Sequence, residues 1–167
     1  MNCIKCPKKI YCSKLCKEHF AKYFLRKFKR HLSNLKILKR KDKVKLKGKN
    51  KKTAKHLLLS LENSLSIEFD IKGKELLTYS MDYKVISMLE SMMSEIKIFQ
   101  PSILECYRIN EIEKFCKLKK IGFEEEKYSK LGKELKKGID KLEKRKHNIF
   151  FSSKKMLDKL LEQHKKL

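Results

Sequence analysis

Two closely spaced pairs of metal-ligand residues lie in the first nineteen residues of the chain. Cys3 and Cys6 are separated by two residues, and so are Cys16 and His19. Thiolate and imidazole donors in two such pairs are typical of a tetrahedral structural zinc site. Cys12 is a further donor in the same stretch, and the spacing leaves open whether Cys12 or His19 is the fourth ligand. The alternative is a set of unliganded thiols in a frayed terminus.

The segment that follows is strongly basic. Residues 1–55 contain 21 of the 44 basic residues and two of the 20 acidic ones, so most of the net charge of +24 lies in the first third of the chain. Such an uneven distribution of positive charge indicates a polyanionic partner, usually RNA or DNA. The alternative is a lysine-rich composition that only keeps the protein soluble. The side chains predicted to contact the nucleic acid are Lys22, Arg26, Lys29, Arg30, Lys36, Lys39, Arg40, Lys49, Lys51 and Lys52.

The elements that must position these groups can be predicted from the apolar spacing. A helical stripe over residues 15–38 predicts an amphipathic helix whose aromatic residues face the core rather than stack on bases; its members are Phe20, Tyr23, Phe24, Phe28, Leu32 and Leu35. Short strands are predicted around Val44 and Leu46, at 66–71 with Ile67, Phe69 and Ile71 on one face, and at 75–79, and a short apolar run lies at 96–99.

Helices are predicted between and after these strands: from Thr53, over 81–93, over 110–121 with Asn110 as N-cap, from Ser129, and through Met156. The helix from Ser129 has one apolar stripe, formed by Leu131, Leu135, Ile139 and Leu142. Strands that alternate with helices favour a small parallel sheet. The predicted fold is therefore α/β, with a zinc-finger module (1–20), a basic helix (21–41), a reduced Rossmann-like core (42–128) and C-terminal helices (129–167).

No catalytic constellation stands out. No serine lies in a glycine elbow, and the acidic run 124–126 is typical of a solvated charged loop. Cys106 and Cys116 are predicted to be structural thiols in apolar surroundings. Gly48 to Asn50, between a strand and a helix, is only a weak phosphate-loop signal because it contains a single glycine. We therefore expect no catalytic residues.

The chain has no apolar run of 18 residues and no apolar N-terminal stretch of the kind a secretory signal needs. We therefore expect an intracellular protein without a membrane span. Thiols stay reduced inside cells, and clustered cysteines there more often bind metal than form disulfides. This expectation favours the zinc interpretation of the N-terminal cysteines.

The N-terminal motif resembles a known family. Cys3-x-x-Cys6, Cys16-x-x-His19-Phe20 and Tyr23-Phe24-x-x-Lys27-Phe28-Lys29 are similar to the zinc finger and first helix of the cytoplasmic tRNA 2-thiolation proteins, and in particular to the non-catalytic, protein 2 type. Later segments of the chain resemble segments of the family and occur in the same order along the sequence. The resemblance implies a fold of the PP-loop (adenine nucleotide alpha hydrolase-like) class, a zinc ion held by Cys3, Cys6, Cys16 and His19, and binding to tRNA.

The departures from the family concern its catalytic parts. Catalytic members carry Ser-Gly-Gly-Lys-Asp-Ser in the loop that binds ATP pyrophosphate, whereas this chain has Lys49-Asn50-Lys51-Lys52-Thr53-Ala54. The section that carries the catalytic cysteines is also missing. The resemblance thus implies a non-catalytic cytoplasmic subunit that pairs with a catalytic paralogue, whose sulfur comes from a thiocarboxylated ubiquitin-related modifier. The alternatives are an unrelated zinc-finger RNA- or DNA-binding protein, and a divergent active thiouridylase that depends on Lys52 and on Cys106 or Cys116.

Overall fold

The computed structural model describes residues 2–61, 66–93 and 100–145, together with residues 152, 153, 155, 156 and 158. The helices and strands of the three main ranges are α1 (Lys17–Leu35), β1 (Lys43–Lys47), α2 (Lys51–Leu59), β2 (Glu68–Phe69), β3 (Lys74–Leu77), α3 (Met81–Met93), α4 (Ile109–Lys119) and α5 (Lys130–Arg145). The apolar run at 96–99 and most of the last predicted helix lie outside the described residues.

The three strands form one parallel sheet in the order β2-β1-β3. This arrangement confirms the predicted α/β class. In the register of β1 and β3, Val44 is opposite Lys74 and Leu46 is opposite Leu76. Because the strands are parallel, the carboxyl ends of β1 and β3 lie at the same edge of the sheet, which is where α/β folds place their ligands.

The second strand is shorter than the predicted 66–71, and the prediction that Ile71 shares its buried face was wrong. Ile71 is 82% exposed. The chain turns directly after β2: the Gly73 N–H donates to the Asp70 carbonyl at 3.1 Å, and the Lys72 N–H donates to the Asp70 carboxylate at 2.9 Å. These bonds divert the backbone before Ile71 can pair with β1.

Aromatic side chains join α1 to α4 and to the segment before it. The Phe24 ring stacks between Tyr107 and Phe115, with ring centroids 3.8 and 4.1 Å apart. Phe20 and Phe28 are fully buried in the same core. The prediction that the aromatic stripe faces the core holds for these three phenylalanines. It was wrong for Tyr23, which is 39% exposed.

A second, smaller core lies between α3 and α5, where Ile139 packs with Met81, Val85, Ile86 and Met88. The stripe predicted on α5 was partly wrong, since Leu131 and Leu142 are exposed. The helices approach closely at Gly132, where an added Cβ would lie 3.1 Å from the Ile86 side chain. This contact rotates Leu131 away from the core.

The predicted N-cap of α4 was also wrong, because the helix starts at Ile109 and Asn110 is exposed. The Asp82 carboxylate, which comes from α3, accepts the Ile109 N–H at 2.9 Å. The Glu111 carboxylate accepts the Arg108 N–H at 3.1 Å. A neighbouring helix therefore supplies part of the capping that was expected from Asn110. None of the helices in the described ranges combines the length and apolar character that a membrane span requires.

Candidate metal centre and nucleic-acid interface

The two ligand pairs of the N-terminus meet at one point. The ligand atoms of Cys3, Cys6, Cys16 and His19 all lie within 4.8 Å of one another. His19 Nδ1 lies 3.5 Å from Cys3 Sγ and 3.4 Å from the sulfurs of Cys6 and Cys16. The Cys6 and Cys16 sulfurs are 3.6 Å apart.

These separations fit one tetrahedral ion. With zinc–sulfur bonds of about 2.3 Å and zinc–nitrogen bonds of about 2.0–2.1 Å, neighbouring donor atoms of a tetrahedron are roughly 3.5–3.8 Å apart. The observed contacts of 3.4–3.6 Å match that spacing closely. Three sulfurs and one imidazole nitrogen are also among the common donor sets of structural zinc.

Cys12, the other candidate for the fourth ligand, lies elsewhere. Its sulfur is 3.6 Å from the Ser13 hydroxyl oxygen. Its backbone pairs with Leu15 in a tight turn, with hydrogen bonds of 3.1 and 2.8 Å. Cys12 is not part of the group of ligand atoms that lie within 4.8 Å of one another. The fold therefore groups His19, and not Cys12, with the other three donors.

Local backbone geometry positions the donors. A turn closes over Cys3 and Cys6, where the Cys6 N–H donates to the Cys3 carbonyl at 3.3 Å. Cys16 is the N-cap of α1, and the Phe20 N–H donates to its carbonyl at 2.8 Å, so His19 lies on the first helical turn. Burial raises the pKa of the Cys3 thiol, but the Lys5 N–H and the neighbouring His19 outweigh it and lower that pKa to about 6. A lowered pKa favours the thiolate, which is the form that binds metal.

All ten basic side chains that were predicted to contact nucleic acid are exposed. None of them pairs with a carboxylate within the described ranges. Lys27 is different, although it lies on the same helix. Its ammonium contacts Glu111 at 3.2 Å and lies over the rings of Tyr23 and Tyr107. Lys27 therefore has a structural role, while the other cations face solvent.

The loop between β1 and α2 is held by contacts within the protein. Gly48 has a φ of +116°, and an added Cβ would lie 3.1 Å from the Thr78 hydroxyl. That hydroxyl donates to the Lys49 carbonyl at 2.5 Å. Asn50 is buried in a left-handed conformation, and its side-chain oxygen accepts the Glu124 N–H at 3.2 Å. The loop that gave a weak phosphate-loop signal is thus packed against two other segments, at Thr78 and at Glu124.

The prediction that residues 124–126 form a solvated acidic run was wrong for Glu126. It is only 3% exposed, and its carboxylate accepts the Ser80 N–H at 2.6 Å and the Ser80 hydroxyl. Tyr128 donates a third bond at 3.3 Å. Burial raises the pKa of Glu126, and the charge of Asp82 adds to that effect. Nothing in the local sequence distinguishes Glu126 from its two acidic neighbours, so the sequence analysis missed it.

The two remaining cysteines lie in the apolar surroundings that were predicted, with Cys116 in the main core and Cys106 packed against it. The Cys116 sulfur is buried 2.9 Å from the Thr53 hydroxyl. Burial raises the pKa of Cys106 to about 12, so this group stays a thiol near neutral pH. Within the described ranges, Cys3, Cys6, Cys16 and His19 form the one group of three or more potential metal ligands.

Comparison with known proteins identifies the fold. No protein-family model matches the sequence, and no curated protein matches it. Among solved structures, the chain is similar to the U34-tRNA thiolase NcsA from Methanococcus maripaludis, determined with its 4Fe-4S cluster. The TM-score is 0.74 at 16% sequence identity, and the match covers 97% of this chain and 87% of that chain. This protein therefore has the fold of a U34-tRNA thiolase.

Proposed function

We propose that this chain is a non-catalytic subunit required for the 2-thiolation of wobble uridines in tRNA. The observation that carries the proposal is the fold that it shares, over 97% of its length, with a U34-tRNA thiolase. The exposed and unpaired basic side chains of the N-terminal region supply a surface for tRNA phosphates. The motif resemblance of the finger and α1 points to the same family.

The assignment of a non-catalytic role is supported by the carboxyl edge of the sheet. The loop before α2 lacks the paired glycines, the aspartate and the serines of the catalytic sequence. Asn50 bonds to the backbone of Glu124, and Glu126 bonds to Ser80 at the start of α3. Protein groups thereby bond to the Asn50 side-chain oxygen and to the Ser80 donors at the edge where an active member would bind its nucleotide, whereas the buried Asn50 Nδ2 has no hydrogen-bond partner among the described residues.

The metal of this chain is proposed to be zinc rather than an iron–sulfur cluster. In a 4Fe-4S cubane the protein thiolates bind different irons, so their sulfurs lie much farther apart than the ligands of a single ion. The donor atoms here lie within 4.8 Å of one another. Cys106 and Cys116 belong to no other donor group in the described ranges. The zinc would cross-link the N-terminal turns to α1 and has no catalytic step of its own.

The catalytic partner in this proposal is a paralogue with an intact Ser-Gly-Gly-Lys-Asp-Ser loop, with which the chain forms a cytoplasmic heterodimer. That partner would take sulfur from a thiocarboxylated ubiquitin-related modifier. The product would be 5-methoxycarbonylmethyl-2-thiouridine in the tRNAs for lysine, glutamate and glutamine. The chain itself would hold the tRNA through its basic N-terminal region.

The decisive experiment is to measure wobble-uridine thiolation in cells that lack this protein. We expect 2-thiouridine to disappear from the three tRNAs and to return when the wild-type chain is restored. A Cys106→Ser/Cys116→Ser chain should restore it equally well, because these thiols are structural. Failure of that variant, when it folds normally, would favour an active thiouridylase. Normal thiolation without the protein would overturn the proposal.

Affinity purification tests the partner separately. A tagged chain should bring down a larger paralogue that carries the intact loop, whether or not ribonuclease is added. Recovery of RNA alone would instead favour an unrelated zinc-finger nucleic-acid-binding protein.

A further inference from the structure

A small cleft lies between the metal-binding turn and the first half of α1. It has a volume of about 290 Å³ and is lined by Lys5, His19, Lys22, Tyr23 and Arg26. That volume is near the lower end of the range for ligand sites, about 300–1,000 Å³, so it suits one nucleotide rather than a dinucleotide. Lys5 and Tyr23 were not among the nucleic-acid residues predicted from the sequence.

The lining combines an aromatic ring with three cations. Tyr23 is the one member of the α1 aromatic stripe that is exposed, at 39%. Lys5, Lys22 and Arg26 are exposed and form no ion pair within the described ranges. An aromatic ring beside unpaired cations is how proteins bind single-stranded nucleic acid: a base stacks on the ring while phosphates contact the cations.

The cleft is rigidly supported. The Lys27 ammonium lies 5.5 Å from the centroid of the Tyr23 ring and is itself fixed by Glu111 at 3.2 Å. The protein thus supports the Tyr23 ring through Lys27, which is not among the residues that line the cleft. The lining also includes His19, whose Nδ1 lies among the metal-ligand sulfurs. A metal ion held by His19 would therefore hold one lining residue of the cleft in place.

We infer that this cleft binds one unstacked nucleotide of RNA, with the base on Tyr23 and the adjacent phosphates on Lys5, Lys22 and Arg26. The inference rests on the proposed function for its choice of RNA, and it adds a site for an unpaired nucleotide to a surface that otherwise contacts only phosphates. An acidic peptide would also be attracted by the cations, but its carboxylates offer no aromatic base to stack on the ring.

The chain contains no tryptophan, so Tyr23→Trp introduces a single fluorescent reporter. Titration of this full-length variant with a uridine hexamer should quench its fluorescence, because the base stacks on the indole. An RNA duplex of equal charge should quench it far less, since its bases are already stacked. Polyglutamate should not displace the hexamer at equal charge concentration. Displacement by polyglutamate, or equal quenching by the duplex, would overturn the inference.

Substitutions separate stacking from charge. Tyr23→Ala should weaken hexamer binding about tenfold and leave the salt dependence unchanged, because the lost contact is not ionic. Tyr23→Phe should retain the affinity, which controls for folding. Lys22→Gln/Arg26→Gln should instead reduce the slope of log affinity against log salt by up to about 1.5. Wild-type affinity in Tyr23→Ala would overturn the stacking role.

The results also separate this inference from the proposed function. If tRNA binds but Tyr23→Ala does not change the affinity, the assignment of the cleft as a nucleotide site is wrong and the proposed thiolation role stands. If the hexamer binds through Tyr23 but cells without the protein thiolate normally, the cleft stands and the thiolation role is wrong.

Discussion

The N-terminal third and the C-terminal half of the described chain both contain many charged residues, but they place them differently. In the N-terminal region the ten basic side chains predicted to contact nucleic acid are exposed and form no ion pair within the described ranges, whereas Lys27 on the same helix pairs with Glu111. In the C-terminal half, charged side chains of different helices form ion pairs with one another. Arg108 contacts Asp82, Asp140 and Glu143 at 2.9–3.3 Å, and it is only 15% exposed.

Lys84 is a second buried cation that pairs with carboxylates. Its buried ammonium lies 3.1 Å from Glu105 and 3.0 Å from Asp158. A buried charge without a partner is strongly unfavourable, so each of these cations is paired. An exposed cation has no such requirement and can exchange counterions for phosphates. The comparison indicates that the C-terminal charges hold helices together, while the N-terminal charges are available for a ligand.

Loss of a metal ligand should have the largest effect. Cys16→Ser should reduce the metal content from about one ion per chain to a small fraction and lower the melting temperature, because metal binding to such modules is coupled to their folding. Elemental analysis and thermal unfolding measure both quantities. Cys12→Ser is the matched control and should retain the ion. Metal loss in Cys12→Ser alone would show that the grouping with His19 is wrong.

Removal of a buried carboxylate in the C-terminal half should come next. Asp82→Ala leaves Arg108 without its closest partner and the Ile109 N–H without its acceptor. We expect the free energy of unfolding to fall by about 3–5 kcal/mol in urea titrations. The affinity for tRNA at a temperature where the variant is folded should not change. Lys117→Ala, in an exposed pair with Glu113, is the control and should not alter stability measurably.

Charge reversal on α1 should have a smaller effect on free energy and should affect binding rather than folding. Lys29→Glu/Arg30→Glu should weaken tRNA binding about tenfold or more near physiological salt. Each phosphate contact that is lost should reduce the salt slope by about 0.7–0.9. Lys133→Glu/Lys137→Glu makes the same charge change on exposed positions of α5. Equal losses for both pairs would contradict the contrast between the two regions.

The smallest effect is expected from Glu126→Gln, and it depends on pH. The folded pKa of Glu126 is raised above its ordinary value of 4.5, so the native state holds the proton more tightly than the unfolded state. Stability contributed by this group is therefore lost as pH rises through the folded pKa. Glutamine does not ionise, so the variant should gain stability relative to wild type as the pH rises above 4.5. Urea titrations across that range measure the difference, and Glu125→Gln controls for the loss of one charge.

Some of these features were predictable because they depend on near neighbours in the chain. The spacing of Cys3, Cys6, Cys16 and His19 indicated the metal donors, since turns and the first turn of a helix bring such pairs together locally. The bounds of α3 matched the predicted 81–93, because its apolar residues follow one helical period. The alternation of strands with helices along the chain correctly predicted the parallel sheet.

Other features depend on segments that are distant in sequence. Glu126 is buried because it meets Ser80, 46 residues earlier, and α4 is capped by Asp82 from α3. Tyr23 lies outside the core because Phe24, its neighbour, takes the space between Tyr107 and Phe115. The sequence by itself determined the donor types, the basic face and the class of fold, because periodicity and spacing act along the backbone. The choice of His19 over Cys12 and the burial of Glu126 were decided only by tertiary packing, because burial depends on which elements meet in space.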